Sequence, residues 1–163
     1  MKASLVTVGL DALAWALWGT AVGYGAHRLP RASLADDNVL TRLHPWERDG
    51  RVYERLRIRR WKRVLPDAGA VFRGGVAKRD LVARDPASLR TLVEETRRAE
   101  LVHWAVAGLA PVFALWNPAP LAVAMVAYAV AANAPCIVVQ RYNRSRLLRV
   151  LAHSGHREKE SVG

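Results

Sequence analysis

A single cysteine, Cys136, is present in the 163 residues. That excludes an internal disulfide framework and a CxxC metal site. Cys136 lies inside an apolar run, where a free thiol behaves as a buried, inert small hydrophobe. The chain also lacks a glycine-rich phosphate loop, an HExxH pair and any Cys/His ligand set. With them go P-loop nucleotide chemistry and the common zinc hydrolase designs, so no metal and no cofactor are expected. Acid is scarce: 14 Asp and Glu stand against 25 Lys and Arg, a formal net charge of +11. Such an excess points to nucleic acid, an anionic membrane surface or an anionic substrate.

Polar and apolar residues are segregated into blocks. Hydrophobic residues make up 52% of the chain and charged ones 24%, and the length is that of one domain. Residues 5–26 are apolar and long enough to span a bilayer core. A cleaved signal would want a basic start and a small-residue cleavage site. Lys2 is the only early charge and Ala26-His27-Arg28 is a poor cleavage context, so a retained transmembrane helix is the better reading. Trp15, Trp18 and Tyr24 are suited to interfacial positions. Asp11, near one end, either snorkels to the headgroups or is an intramembrane acid.

Residues 27–88 form a basic, water-facing platform; 18 of the 25 Lys and Arg lie between His27 and Arg98. Pro30, Pro45, Pro66 and Pro86, with Gly50, Gly69 and Gly74-Gly75, mark turns between short helices. Arg51–Val64 reads as one amphipathic helix lying in the membrane interface. Ser88 is the expected N-cap of a helix beginning at Leu89. That helix runs over 89–116 into the membrane. An uncharged turn at Asn117–Pro120 and a second apolar run over 121–139 follow, with Pro111 and Pro135 tolerated as membrane-helix kinks. Residues 140–153 form a basic amphipathic helix and 154–163 a frayed polar tail. The expected fold is an all-α membrane protein with about three transmembrane helices, one N-terminal and then a C-terminal hairpin, with the basic platform between them. The positive-inside rule puts the N-terminus outside and the platform and C-terminus on the cytoplasmic side. Both ends of the hairpin that carry polar clusters then open to the cytoplasm.

The first cluster is Glu94-Glu95-Thr96-Arg97-Arg98-Ala99-Glu100-Leu101-Val102-His103-Trp104. On a helix, Thr96, Glu100 and His103 fall at i, i+4 and i+7 and share a face. His103 is a candidate general base with Glu100 orienting it; Glu95 and Thr96 are candidate substrate contacts. The plainer alternative is an interfacial helix with Glu94–Arg98 or Glu95–Arg98 pairs. The second cluster is Asn133 with Gln140-Arg141-Tyr142-Asn143-Arg144. Arginine forks match carboxylates and phosphates, and Gln140 and Asn143 can hold a carbonyl or oxyanion. A positive-inside anchor explains the arginines equally well, but not Asn133, which sits inside the membrane and needs a partner. His44-Pro45-Trp46-Glu47-Arg48-Asp49 has the H-x4-D spacing of glycerolipid acyltransferases but no matching context, and coincidence is the better reading. Trp61 and Lys62, within Arg57–Arg63, suit an anionic membrane surface or acyl donor. Nucleic acid is disfavoured because topology already places the basic residues.

The Glu95–Trp104 stretch and Asn133-Ala134-Pro135-Cys136-Ile137-Val138-Val139-Gln140-Arg141-Tyr142-Asn143-Arg144-Ser145-Arg146-Leu147 resemble the glycosyl-4,4'-diaponeurosporenoate acyltransferase family. These are small bacterial membrane proteins of similar length. The Trp46-Glu47, Gly50, Tyr53 and Ile58–Lys62 positions are similar too. The resemblance implies transfer of a fatty acyl group to the C6 hydroxyl of the glucose on a glycosylated carotenoid, in the bacterial cell membrane. It implies an acyl donor (acyl-CoA or acyl carrier protein), a glycolipid acceptor and membrane lipids as partners. The resemblance carries over no assigned catalytic residues, and from the residues themselves His103 and Glu100 are the catalytic candidates. Glu95, Thr96, Asn133, Gln140, Arg141, Asn143, Arg144, Trp61 and Lys62 are the substrate-binding ones. A non-catalytic membrane anchor binding anionic lipid and a small methyltransferase-like enzyme are the competing readings.

Overall fold

The computed structural model describes residues 5–62 and 85–162, with side chains through Ser154. Among the described residues all regular structure is helical. Three helical segments are long and apolar enough to cross a membrane: 5–27, 86–115 and 119–154. The expected turns at Pro66, Gly69 and Gly74-Gly75 lie outside the described residues.

Helix α1 (Leu5–His27) is mostly apolar, with Asp11 its one acidic residue, and lies along α5 (Pro86–Leu109). Its two ends are fastened differently. At the first, Asp11 does not reach for the headgroups. It is buried, and its Oδ1 accepts hydrogen bonds from Trp116 Nε1 at 2.8 Å and Asn117 Nδ2 at 2.9 Å. These donors offset part of the cost of burying a polar side chain in an apolar span, while Oδ2 has no partner among the described residues. Trp15 and Trp18 also turn inward, their rings 4.9 and 5.2 Å from Phe113. At the second end, Arg98 of α5 donates through Nη1 to the carbonyls of Ala26, His27 and Leu29, fastening the terminus of α1 and the residues just after it.

Arg97, the neighbour of Arg98, is rotated about 100° around the same helix and serves a different one. It reaches the Leu34 and Ala35 carbonyls that end α2 (Ala32–Ala35), both at 2.9 Å, and pairs with Asp37 at 2.8 Å. Two adjacent arginines thus tie two helix ends to α5.

Asp85 rather than Ser88 caps α5. Its side chain accepts from the Ser88 N–H at 2.9 Å, and Pro86 occupies the first helical position, where its missing donor costs nothing. The chain tightens into a 3-10 turn over Ala110–Leu115, crosses at Asn117-Pro118, and returns as α6 (Ala119–Val162). The apolar run and the basic segment expected as separate helices form one rod of 44 residues that also includes most of the expected tail. Helices α5 and α6 form the main interface. The buried face of α6 runs Ala122, Ala129, Asn133, Ile137, Arg141. Small residues let the backbones approach at one end, an amide follows, and the face ends in charge.

After α2, the platform continues with a 3-10 turn at Pro45–Glu47. The single helix expected over 51–64 is instead two short ones, α3 (Arg51–Arg55) and α4 (Ile58–Trp61), broken at Arg57 with φ 52°. On one straight helix Tyr53 and Ile58 would point about 140° apart. The break turns both inward, where they join Val139 and Tyr142 of α6 in one buried cluster. Gly50 takes φ 70°, and a Cβ there would come within 3.0 Å of Ser145 Oγ on α6. Only glycine allows both the left-handed turn and the close approach.

Candidate active site

At the charged end of the hairpin, four ionised side chains from three segments meet. Glu100 of α5 is fully buried and bridges two arginines of α6: its Oε1 lies 2.7 Å from Arg141 Nη1 and its Oε2 2.6 Å from Arg144 Nη2. Arg141 also grips Glu47 with both prongs, Nε to Oε1 and Nη2 to Oε2, each at 2.7 Å. Its remaining bonds go to the carbonyls of Leu40 at 3.1 Å and Arg42 at 2.8 Å, and Arg144 reaches the carbonyl of Thr41. The two arginines therefore hold residues 40–47 across the end of α5 and α6. Two carboxylates balance two guanidinium groups, so the cluster is neutral, as burial at this depth requires. Arg144 Nε and Nη1 are enclosed with no acceptor among the described residues.

Glu47 is the hub on the platform side. It accepts from the His44 N–H at 2.7 Å and from the Tyr53 hydroxyl. Burial works to raise its carboxyl, but Arg141, Tyr53 and His44 outweigh it and hold it at about 2. Burial, then Glu47, pushes Tyr53 upward, so the phenol stays a donor. A carboxyl depressed in the folded state stabilises the fold fully above its unfolded value, and the contribution is lost as pH falls toward the folded one. The advantage of the wild type over Glu47→Gln in thermal unfolding should therefore be complete at neutral pH and shrink between about 4.5 and about 2. A gap that stays constant across that window contradicts the hub role.

One turn further into the apolar part of α5, about 4.5 Å along the axis, lies half-buried His103. Its partner is not Glu100, which the arginines hold. His103 Nδ1 meets Asn133 Oδ1 at 2.9 Å, across the α5–α6 interface. Asn133, which the sequence left in need of a partner, is buried there and also donates from Nδ2 to the Ala129 carbonyl at 2.8 Å. Among the described residues, His103 Nε2 has no hydrogen-bonding partner.

The other candidates separate into two groups. Thr96 turns back on the Val93 carbonyl at 2.7 Å, and Glu95 pairs with Arg98 at 3.3 Å; both are occupied within the scaffold. Lys62 Nζ is 3.4 Å from Asn143 Oδ1 and 5.0 Å from the centre of the Tyr142 ring, with Trp61 close by on α4, its indole N–H on the Leu56 carbonyl. Gln140 is half-buried next to Arg141. Lys62, Trp61 and Asn143 meet on the platform side. The H-x4-D pattern forms no pair: His44 stacks on Trp46 at 5.7 Å, and Asp49 accepts from the Arg51 N–H at 3.0 Å. Glu47, Tyr53 and the carbonyls of residues 40–42 were not assigned a role from sequence. The only signal was that Trp46-Glu47 and Tyr53 belong to the family-like pattern.

A sequence model of the glycosyl-4,4'-diaponeurosporenoate acyltransferase family matches residues 36–153. Relatives described by the same name include proteins of Staphylococcus aureus strain bovine RF122 / ET3-1 and strain MRSA252. Each is 29% identical to this chain across 96% of it and 97% of its own length. The relative from strain Newman is 28% identical over the same shares. No solved structure matches.

Proposed function

Because this chain belongs to the glycosyl-4,4'-diaponeurosporenoate acyltransferase family, we propose that it is a membrane O-acyltransferase moving a fatty acyl group from a thioester to a sugar hydroxyl of a glycosylated C30 carotenoid. The hydroxyl is C6 of the glucose, as the resemblance implies. The protein sits in the bacterial cell membrane as a multi-pass chain, with the charged end facing the cytoplasm by the positive-inside rule. The acyl donor, acyl-CoA or an acylated carrier protein, arrives on that side. The acceptor's apolar body lies in the lipid along the hairpin, with its sugar at the headgroup level.

The observation that carries this reading is the placement of His103. A half-buried imidazole, with no partner at Nε2 among the described residues, stands at the edge of an apolar span beside a neutral, buried charge cluster. His103 Nε2 takes the proton of the sugar hydroxyl as its oxygen bonds to the thioester carbonyl carbon. The tetrahedral intermediate collapses, the C–S bond breaks, and the leaving thiolate takes the proton back from the imidazolium. Alcohol and thioester become ester and thiol, and the base is regenerated.

Glu100, Arg141 and Arg144 act in this scheme as positioning residues that fix 40–47 over the site. That role replaces the direct contact with imidazole or donor expected of them from sequence. Lys62, Asn143, Gln140 and Trp61 border the entry for the donor's anionic head.

The test uses purified protein in lipid, a defined acyl thioester and a glycosylated carotenoid. Mass spectrometry should find the acylated glycolipid, with one thiol released per ester. Failure to form ester with either acyl-CoA or acylated carrier protein would favour the membrane-anchor reading.

A further inference from the structure

We infer that Asn133 is a positioning residue that holds His103 in the Nδ1–H tautomer and so keeps the Nε2 lone pair available. This rests on the proposed role of His103 and adds a residue on the facing helix that sets it up. The argument begins at Ala129. Its carbonyl is an acceptor only, and it lies 2.8 Å from Asn133 Nδ2. Reversing the amide would set two oxygens against each other at that distance, so the network fixes which end of Asn133 is which. The carboxamide oxygen is then the end that faces His103 Nδ1 at 2.9 Å.

An oxygen there can only accept, so Nδ1 must carry the hydrogen. In the neutral ring this leaves Nε2 unprotonated. A histidine side chain in water prefers the opposite tautomer, so the bond works against the ring's own bias. Asn133 also keeps its bond in the imidazolium state, because Nδ1 remains a donor after Nε2 is protonated. A carboxylate would hold the same tautomer but would add a charge within the apolar span. The amide orients the ring without one.

Asn133 has no plainer reason to be where it is. It is buried at a position of α6 whose neighbours on the same face are Ala129 and Ile137. Helix packing there needs no amide.

The experiment is nitrogen NMR of protein in lipid nanodiscs labelled with 15N-histidine, with His103 assigned by its loss in His103→Gln. In the wild type at alkaline pH, Nε2 should resonate as a pyridine-type nitrogen and Nδ1 as a pyrrole-type one. Asn133→Leu, which matches in volume and suits a membrane helix, should shift His103 to the opposite or a mixed tautomer. It should lower kcat about 10- to 100-fold without raising KM for the acyl donor. Asn133→Asp at alkaline pH should restore the wild-type tautomer and most of the kcat. A wild-type His103 protonated at Nε2, or an Asn133→Leu protein with unchanged tautomer, overturns the inference. The NMR result does not depend on turnover. A correct tautomer together with full activity in His103→Ala would remove the general base and leave the Asn133 assignment standing.

Discussion

His103→Ala should reduce acyl transfer by about 100- to 10,000-fold, the usual contribution of a positioned general base, while expression and thermal unfolding stay close to wild type. The side chain is half-buried and, among the described residues, makes one side-chain hydrogen bond, to Asn133. Its removal opens no large cavity and leaves an amide oxygen that still has the Asn133–Ala129 bond to orient it. The loss should fall on kcat, since nothing in the proposed scheme has the ring holding the donor's head. Steady-state kinetics with varied thioester would show this. Turnover within a few-fold of wild type, with the protein folded, removes His103 from the reaction.

Arg141→Leu should have the opposite profile: a large loss of stability, with any loss of activity following from it. Arg141 pairs with Glu47 and Glu100 and holds the Leu40 and Arg42 carbonyls. Removing it leaves Glu47 buried without its cation and loosens residues 40–47, which keep the Arg144–Thr41 bond to α6. Breaking a buried pair by deleting one partner costs about 3–5 kcal/mol. The unfolding midpoint should drop accordingly, and amides in 38–47 should lose hydrogen-exchange protection before those of α5. Arg141→Lys should recover little, because one ammonium cannot replace a guanidinium that engages both oxygens of Glu47 and a second carboxylate. Glu100→Gln belongs with this group: it should destabilise the fold and leave the His103 tautomer unchanged. An Arg141→Leu protein as stable as wild type would mean that the arginines are available to a ligand, as the sequence suggested.

The contrast between these two variants follows how legible each part was in the chain. The helical class and the three apolar spans were readable because length and apolarity are local properties. His103 was readable as unusual for the same reason: an imidazole at the start of an apolar span needs an explanation wherever the rest of the chain goes. Its partner was not readable. Helical spacing offered Glu100, three residues away, and both residues do lie on α5. But Glu100 is drawn off by two guanidinium groups 41 and 44 residues later in the chain, a stronger claim on a buried carboxylate than a neutral imidazole can make. Asp11 was left open for the same reason. Its nearness to a helix end suggested snorkelling, while its donors, Trp116 and Asn117, are more than 100 residues away. The break at Arg57 and the cap at Asp85 were missed on local grounds, because a continuous basic-apolar pattern and a favourable Ser88 hid them.

Sequence alone determined that this protein is helical, that a basic end adjoins an apolar hairpin, and that polar and ionisable residues gather where the two meet. Those follow from the distribution of charge and hydrophobicity along the chain, which no folding changes. Tertiary structure decided the pairings within that meeting point. Burial makes every charge seek its nearest opposite in space rather than in sequence. Glu100 therefore went to Arg141 and Arg144, Glu47 was brought in from the platform, and His103 was left to the amide of Asn133.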